Sequence, residues 1–193
     1  ASDIIAQDAT SLANLYLTAT NDFSNAGNIY GNNDIDLIAA NQVSNSGSIE
    51  ASQALNLQSL EFSNSGSLIS GAATNLVATN DLINEGTILS NEALNLAANN
   101  ISNSGAISSV GNTTLNATDS IDLAAGSLVA NNINAVAANG IDINGTIYSY
   151  GDLALDSQNI SILASGIIAQ DTTSLANLYL TAANDFSNEG NIY

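Results

Sequence analysis

Apolar residues recur along this chain with two periods at once, a short one of alternate positions and a long one of about twenty. Segments such as Ile35-Asp36-Leu37, Leu55-Asn56-Leu57 and Leu94-Asn95-Leu96 alternate apolar and polar side chains. This is the pattern of a strand with one buried face rather than of a helix. The longer period is marked by glycine, at Gly27, Gly47, Gly66, Gly86, Gly105, Gly126, Gly145, Gly166 and Gly190. The intervals are nearly constant until the last, from Gly166 to Gly190, which is wider. Two positions after each glycine stands an apolar residue, from Ile29 and Ile49 through Leu68, Ile88, Ile107, Leu128, Ile147 and Ile168 to Ile192. An alternating pair follows eight to ten positions after the glycine, and a third apolar site (Val43, Phe62, Leu82, Ile101, Ile121, Ile141) comes before the next one.

Each unit therefore predicts three short strands, joined by Asn, Gly and Ser, with too few apolar residues to bury a face alone. Stacking equivalent strands of successive units, hydrogen-bonded at about 4.8 Å, solves this and predicts an all-β, right-handed parallel β-helix of three-strand rungs running continuously over residues 1–193. The absence of proline suits strands whose N–H groups must all donate. A β-propeller would need blades of about 40–45 residues, and the glycine-rich calcium nonapeptide is missing. The wider last interval predicts a loop pushed out of one rung around 171–174.

Two residues before the repeat glycine stands Asn25, Asn45, Asn64, Asn84, Asn103 or Asn188. With Gly27, Gly47, Gly66, Gly86 and Gly105, these predict a tight corner in left-handed backbone. They also predict a ladder of inward amides bonded to one another along the axis. A still longer period lies above the rungs: residues 4–30 recur at 167–193 with only three differences, Ala9/Thr172, Thr20/Ala183 and Ala26/Glu189. So close a return, from position 4 to position 167, points to tandem duplication of a unit about eight rungs long. Neither end reads as a polar cap, and Ala1-Ser2-Asp3 carries no start Met or basic n-region. The expectation is an excerpt of a longer rod built from further copies of the same unit.

Composition removes most chemistry. The chain has no Lys, Arg or His, 18 acidic residues and a net charge of −18, yet 45% of its residues are apolar, enough to form a core rather than a disordered segment. Without a cation, binding to nucleic acid is not expected. No apolar run reaches the roughly 20 residues of a membrane span. Without Cys there are no disulfides or thiol chemistry, and trypsin-like proteases find no cleavage site. Serine or threonine nucleophiles have no His partner. A glycosidase would need two carboxylates about 5–10 Å apart in a cleft, and Asp119, Asp122 and Asp142 are the nearest candidates. Six Tyr, three Phe and no Trp offer little aromatic platform for a sugar, so no enzymatic activity and no cofactor are expected. Only a hard cation such as Ca²⁺ suits the remaining donors. Asp34 with Asp36, Asp119 with Asp122, and Asp152 with Asp156 are its candidate sites. The competing reading is that these acids are solvated and keep a rod soluble. Tyr30, Tyr148, Tyr150, Tyr179 and Tyr193 are candidate contact points for a cell surface or a neighbouring fibre. The sequons at Asn100, Asn112 and Asn116 are expected by chance in so Asn- and Thr-rich a chain.

The run Asn-Ser-Gly-Ser-Ile at 45–49 leading to Leu55-x-Leu57, echoed at 84–96, resembles the filamentous-haemagglutinin repeat of large bacterial exoproteins exported by two-partner secretion. The resemblance extends over essentially the whole chain. It implies a right-handed β-helix at the surface of a Gram-negative-type cell, serving as a structural shaft. Two alternatives stay open: an adhesin that uses its lateral surface, or the stalk of a toxin carried outside this segment.

Overall fold

The computed structural model describes residues 4–8, 10–173 and 175–193. Ala1-Ser2-Asp3, Ala9 and Ser174 lie outside them. The described residues form an all-β parallel solenoid of about nine turns. Each rung has three strand positions, as in the rung Ser48–Ala51, Leu55–Ser59 and Glu61–Asn64. First-position strands build a ten-stranded sheet, and second and third positions together build a fourteen-stranded one. In four rungs the second and third positions run on as one bent strand, Leu94–Asn103, Thr113–Leu123, Leu153–Ile162 and Leu178–Asn188. Register slips at Ala98/Asn100 and Ser157/Asn159 mark the bend in two of the pairings. Among the described residues no helix is long and apolar enough to cross a membrane.

The register stacks like on like. Ile29, Ile49, Leu68, Ile88, Ile107, Leu128, Ile147 and Ile168 form one inward column, and all are buried. The second position adds Ile35/Leu37, Leu55/Leu57 and Leu94/Leu96, and the third adds Val43, Phe62, Leu82, Ile101, Ile121 and Ile141, all in one continuous core. Burying each Leu or Ile stabilises the stack by about 1.5–3 kcal/mol. No rung could gain this alone, because each covers its neighbours' side chains. Between strand positions the interior narrows and only small residues fit. Ala39, Ser59, Ala78, Ala98, Ala117, Ala137 and Ser157 fill one such column. The Ser59 and Ser157 hydroxyls there have no hydrogen-bond partner.

The wide rung occurs twice. Ile5 pairs with Ile29 and Ile168 with Ile192, the same enlarged offset in each case. The loops after Gln7 and Gln170 are copies of each other, whereas the glycine ruler, which starts at Gly27, reveals only the second. Asp8 Oδ1 accepts from Thr10 N and Oγ1, and Asp171 Oδ1 accepts from Thr173 N and Oγ1. In both loops the threonine hydroxyl bond, followed by the backbone bond, holds the carboxyl below its usual range.

The glycine corner has a different cause from the one expected. No glycine and no other described residue has positive φ, so the left-handed backbone expected at Gly27, Gly47, Gly66, Gly86 and Gly105 is absent. The requirement is close approach between rungs. A Cβ on Gly47 would lie 2.0 Å from Gly27 O, one on Gly66 2.0 Å from Gly47 O, and one on Gly105 2.1 Å from Gly86 O. The rungs are held this close because Ser65 N and Gly66 N both donate to Asn45 O, at 2.8 and 3.1 Å. Gly66→Ala must therefore part the rungs at this corner, with an expected loss of about 3 kcal/mol or more. Gly140→Ala, where a Cβ meets nothing within 4 Å, should leave stability unchanged or raise it by about 0.5–1 kcal/mol. Thermal unfolding followed by circular dichroism distinguishes the two; equal effects would remove the close-approach explanation.

Candidate functional site

Three features rise above the uniform rungs: a buried amide ladder, the columns of acids, and the exposed apolar side chains. The ladder lies just inside the glycine corner. Asn25 Nδ2 donates to Asn45 Oδ1 at 2.8 Å, Asn45 to Asn64 at 2.8 Å, Asn64 to Asn84 at 2.8 Å and Asn84 to Asn103 at 2.7 Å. All five residues are buried. Each Nδ2 also reaches backbone carbonyls, as Asn45 does with Gly47 O and Ser67 O. Amide bonds in line polarise one another in a low-dielectric interior, and the same interior makes an orphaned amide costly.

The column then changes chemistry. The register continues from Asn103 through Leu123, Ile143 and Ile162 to Asn188. Asn188 therefore lies beside Ile162 and stands apart from the ladder in which the sequence placed it. Its Oδ1 accepts from Gly190 N at 3.0 Å, the same bond that Gly27 N makes to Asn25 Oδ1 at 3.2 Å. The corner backbone survives without Asn, since Asn144 N and Gly145 N donate to Leu123 O at 2.9 and 2.8 Å. Glycine makes the corner, and asparagine adds the buried ladder.

Two further polar columns escaped the sequence reading. One is outward: Asn56 donates to Asp36 Oδ1, Asn75 to Asn56 and Asn95 to Asn75, at 2.8–2.9 Å. The other is buried at the corner after the first strand position. There the Ser70 and Thr74 hydroxyls lie 2.6 Å apart and those of Ser109 and Thr113 lie 2.8 Å apart. Their one-rung spacing was visible, but Ser and Asn are so common in the chain that it did not stand out.

The acids do not converge. Among the described residues no group of three His, Cys, Asp or Glu side chains is placed to hold a metal ion. Asp34 accepts from Asn14 Nδ2 and Ala54 N, Asp36 from Asn56, and Asp119 from Asn139 Nδ2 at 2.6 Å. Asp152 accepts from Asn177 N and Nδ2, while Asp156 is registered between Val136 and Thr181. Asp122 differs, because it is registered directly on Asp142 of the next rung. Desolvation, and then the Asp142 carboxylate, push its pKa above the ordinary aspartate value.

The tyrosines divide between faces. Tyr30 and Tyr148 stand in the outward column of the ten-stranded sheet. Tyr150 lies at its edge with its ring edge-on to Tyr148 at 5.0 Å. Loss of water around Tyr148, followed by Asp171 and Tyr150, raises the pKa of its hydroxyl. Tyr179 is on the outer face of the other sheet, as is its counterpart Tyr16, and Tyr193 ends the last rung. The most exposed apolar side chains are again a repeat pair, Leu12 at 86% and Leu175 at 102%, both in the wide-rung loop. Asn33 Nδ2 holds the first of these loops by donating to Leu12 O and Asn14 Oδ1, at 3.1 and 2.7 Å.

The fold thus defines a parallel β-solenoid repeat protein. Comparisons with protein-family models, with curated proteins and with solved structures give no significant match.

Two substitutions test these assignments. Asn64→Leu removes the donor to Asn84 Oδ1 inside the core and should cost about 1–3 kcal/mol. Asn103→Leu should cost less, since Asn84 Nδ2 keeps Gly86 O and Ala106 O and the apolar column gains one rung. Urea unfolding provides the comparison, and an equal loss at both sites would deny the ladder its role. For Asp122 the raised pKa means that the fold disfavours the ionised form. Stability is therefore lost as pH rises through the folded pKa and regained as it falls. Asp122→Asn should raise the urea midpoint at pH 7, and the gain should vanish below the ordinary aspartate value of 3.8. A gain that persists in acid would show a cause other than charge.

Proposed function

We propose that this chain is part of the structural shaft of a long bacterial fibre, secreted or displayed at the cell surface, of the kind built from filamentous-haemagglutinin-type repeats. One observation carries the reading: the segment 4–30 and its copy 167–193 occupy the same strand positions eight rungs apart in an unbroken ten-stranded sheet. A unit that returns to its own starting geometry can be joined to further copies without changing the register. Eight rungs at about 4.8 Å make a repeat of about 38 Å. A charge of −18 without a cation keeps rods apart wherever acids face acids.

A second reading, an adhesin that binds through its side, draws on the exposed pairs Leu12/Leu175 and Tyr16/Tyr179. Side chains repeated once in every duplicated unit would offer many weak contacts and hence avidity. Electron microscopy and fibre diffraction of the native material test the shaft. Thin unbranched rods are expected, with an axial spacing of about 4.8 Å and a repeat of about 38 Å. Short discrete particles, or a repeat unrelated to eight rungs, would overturn the shaft and leave the lateral-binding reading.

A further inference from the structure

We infer that the outer face of the ten-stranded sheet is an interface at which one rod pairs side by side with a second copy of itself. The inference extends the shaft reading and can fail without it. The outward side chains of this sheet form two columns. One is mostly Ser and Thr, including Ser48, Ser67, Thr87, Ser127 and Thr146. The other carries Tyr30, Ile69, Leu89, Val129 and Tyr148, interrupted by Glu50 and Ser108. The apolar members of this second column other than Tyr30 are half-buried, and Tyr30 is 39% exposed. Among the described residues Glu50 is the only carboxylate in either column, although the chain has 18 acids and no base. In the other sheet the second strand position carries Asp36 and Asp156, while most of its acids, Glu61, Asp81, Asp119, Asp122, Asp142 and Asp185, lie at the third position or the bend before it.

This segregation identifies the partner. Two rods of charge −18 repel each other wherever carboxylates face carboxylates, at a range of about 8 Å in physiological salt. Of the outward strand columns, those of the ten-stranded sheet bring the least charge together, with Glu50 alone against Asp36 and Asp156 at the second strand position. A second copy also matches in spacing, since its rungs and its duplicated units repeat at the same intervals. The area is sufficient. Eight rungs of about 4.8 Å by four residues of about 3.3 Å give about 500 Å² per copy. The pair therefore buries about 1,000 Å² per duplicated unit, at the lower bound of a specific interface. Pairing is then weak for one unit and grows with the number of units in register.

Sedimentation of the chain over a concentration series in physiological salt tests this. Leu89→Glu and Val129→Glu each add a carboxylate in the column where Glu50 already stands, so the fold should hold, as circular dichroism will verify. Val77→Glu adds the same charge on the other sheet, at a residue 46% exposed. The expected result is reversible self-association, weakened at least tenfold by Leu89→Glu and by Val129→Glu and less than twofold by Val77→Glu. Photo-oxidative dityrosine links between copies should join Tyr30 and Tyr148. A chain that stays monomeric throughout overturns the pairing, whether or not it binds an uncharged polymer through this face. So does equal weakening by all three variants, or linkage confined to Tyr16 and Tyr179. Single rods that keep the eight-rung repeat would in that case leave the shaft reading intact.

Discussion

The spacing between rungs governs everything else in this molecule. Backbone hydrogen bonds fix it at about 4.8 Å, and every side chain must then coexist with its equivalents directly above and below. Inward columns of Ile, Leu and Val meet this by packing like on like. The glycine corner meets it by having no side chain, since a Cβ on Gly47 or Gly66 would fall 2.0 Å from the carbonyl of the preceding rung. The buried asparagines meet it by giving each amide its partner in the next rung.

The same constraint explains where the stack is uneasy. Identical charges cannot be stacked freely, and the acids are accordingly set beside amides, as Asp36 beside Asn56 and Asp119 beside Asn139. Asp122 on Asp142 is the exception, and its raised pKa records the cost. The replacement of the amide ladder by Leu123, Ile143 and Ile162 follows the same logic, because a column can be polar or apolar so long as neighbours agree. Asn103, at the boundary, meets the change by giving its amide protons to Gly105 O and Ser127 O.

In the proposed shaft, function is distributed along the rod. Among the described residues no group of three His, Cys, Asp or Glu side chains is placed to hold a metal ion. What recurs is surface: an anchored loop with an exposed leucine, and a nearly uncharged sheet face on an otherwise acidic rod. Repetition turns contacts of small individual area into long ones, and this suits a fibre better than a discrete binding site.

Much of this was legible in the sequence by itself. The glycine ruler, the alternation of Ile35/Leu37 and Leu55/Leu57, and the return of residues 4–30 at 167–193 determined the strands, the parallel stack and the inward columns. A period-two pattern that recurs at a nearly constant rung length has few other ways to bury itself. The physical cause of the glycine corner, the break in the amide ladder before Asn188, the first wide-rung loop and the uncharged face were decided by the tertiary structure. Each depends on which residue lies one rung away, far along the chain. That offset changes at every bulge and loop, so only the folded register shows that Asn188 meets Ile162 and that Glu50 stands almost alone.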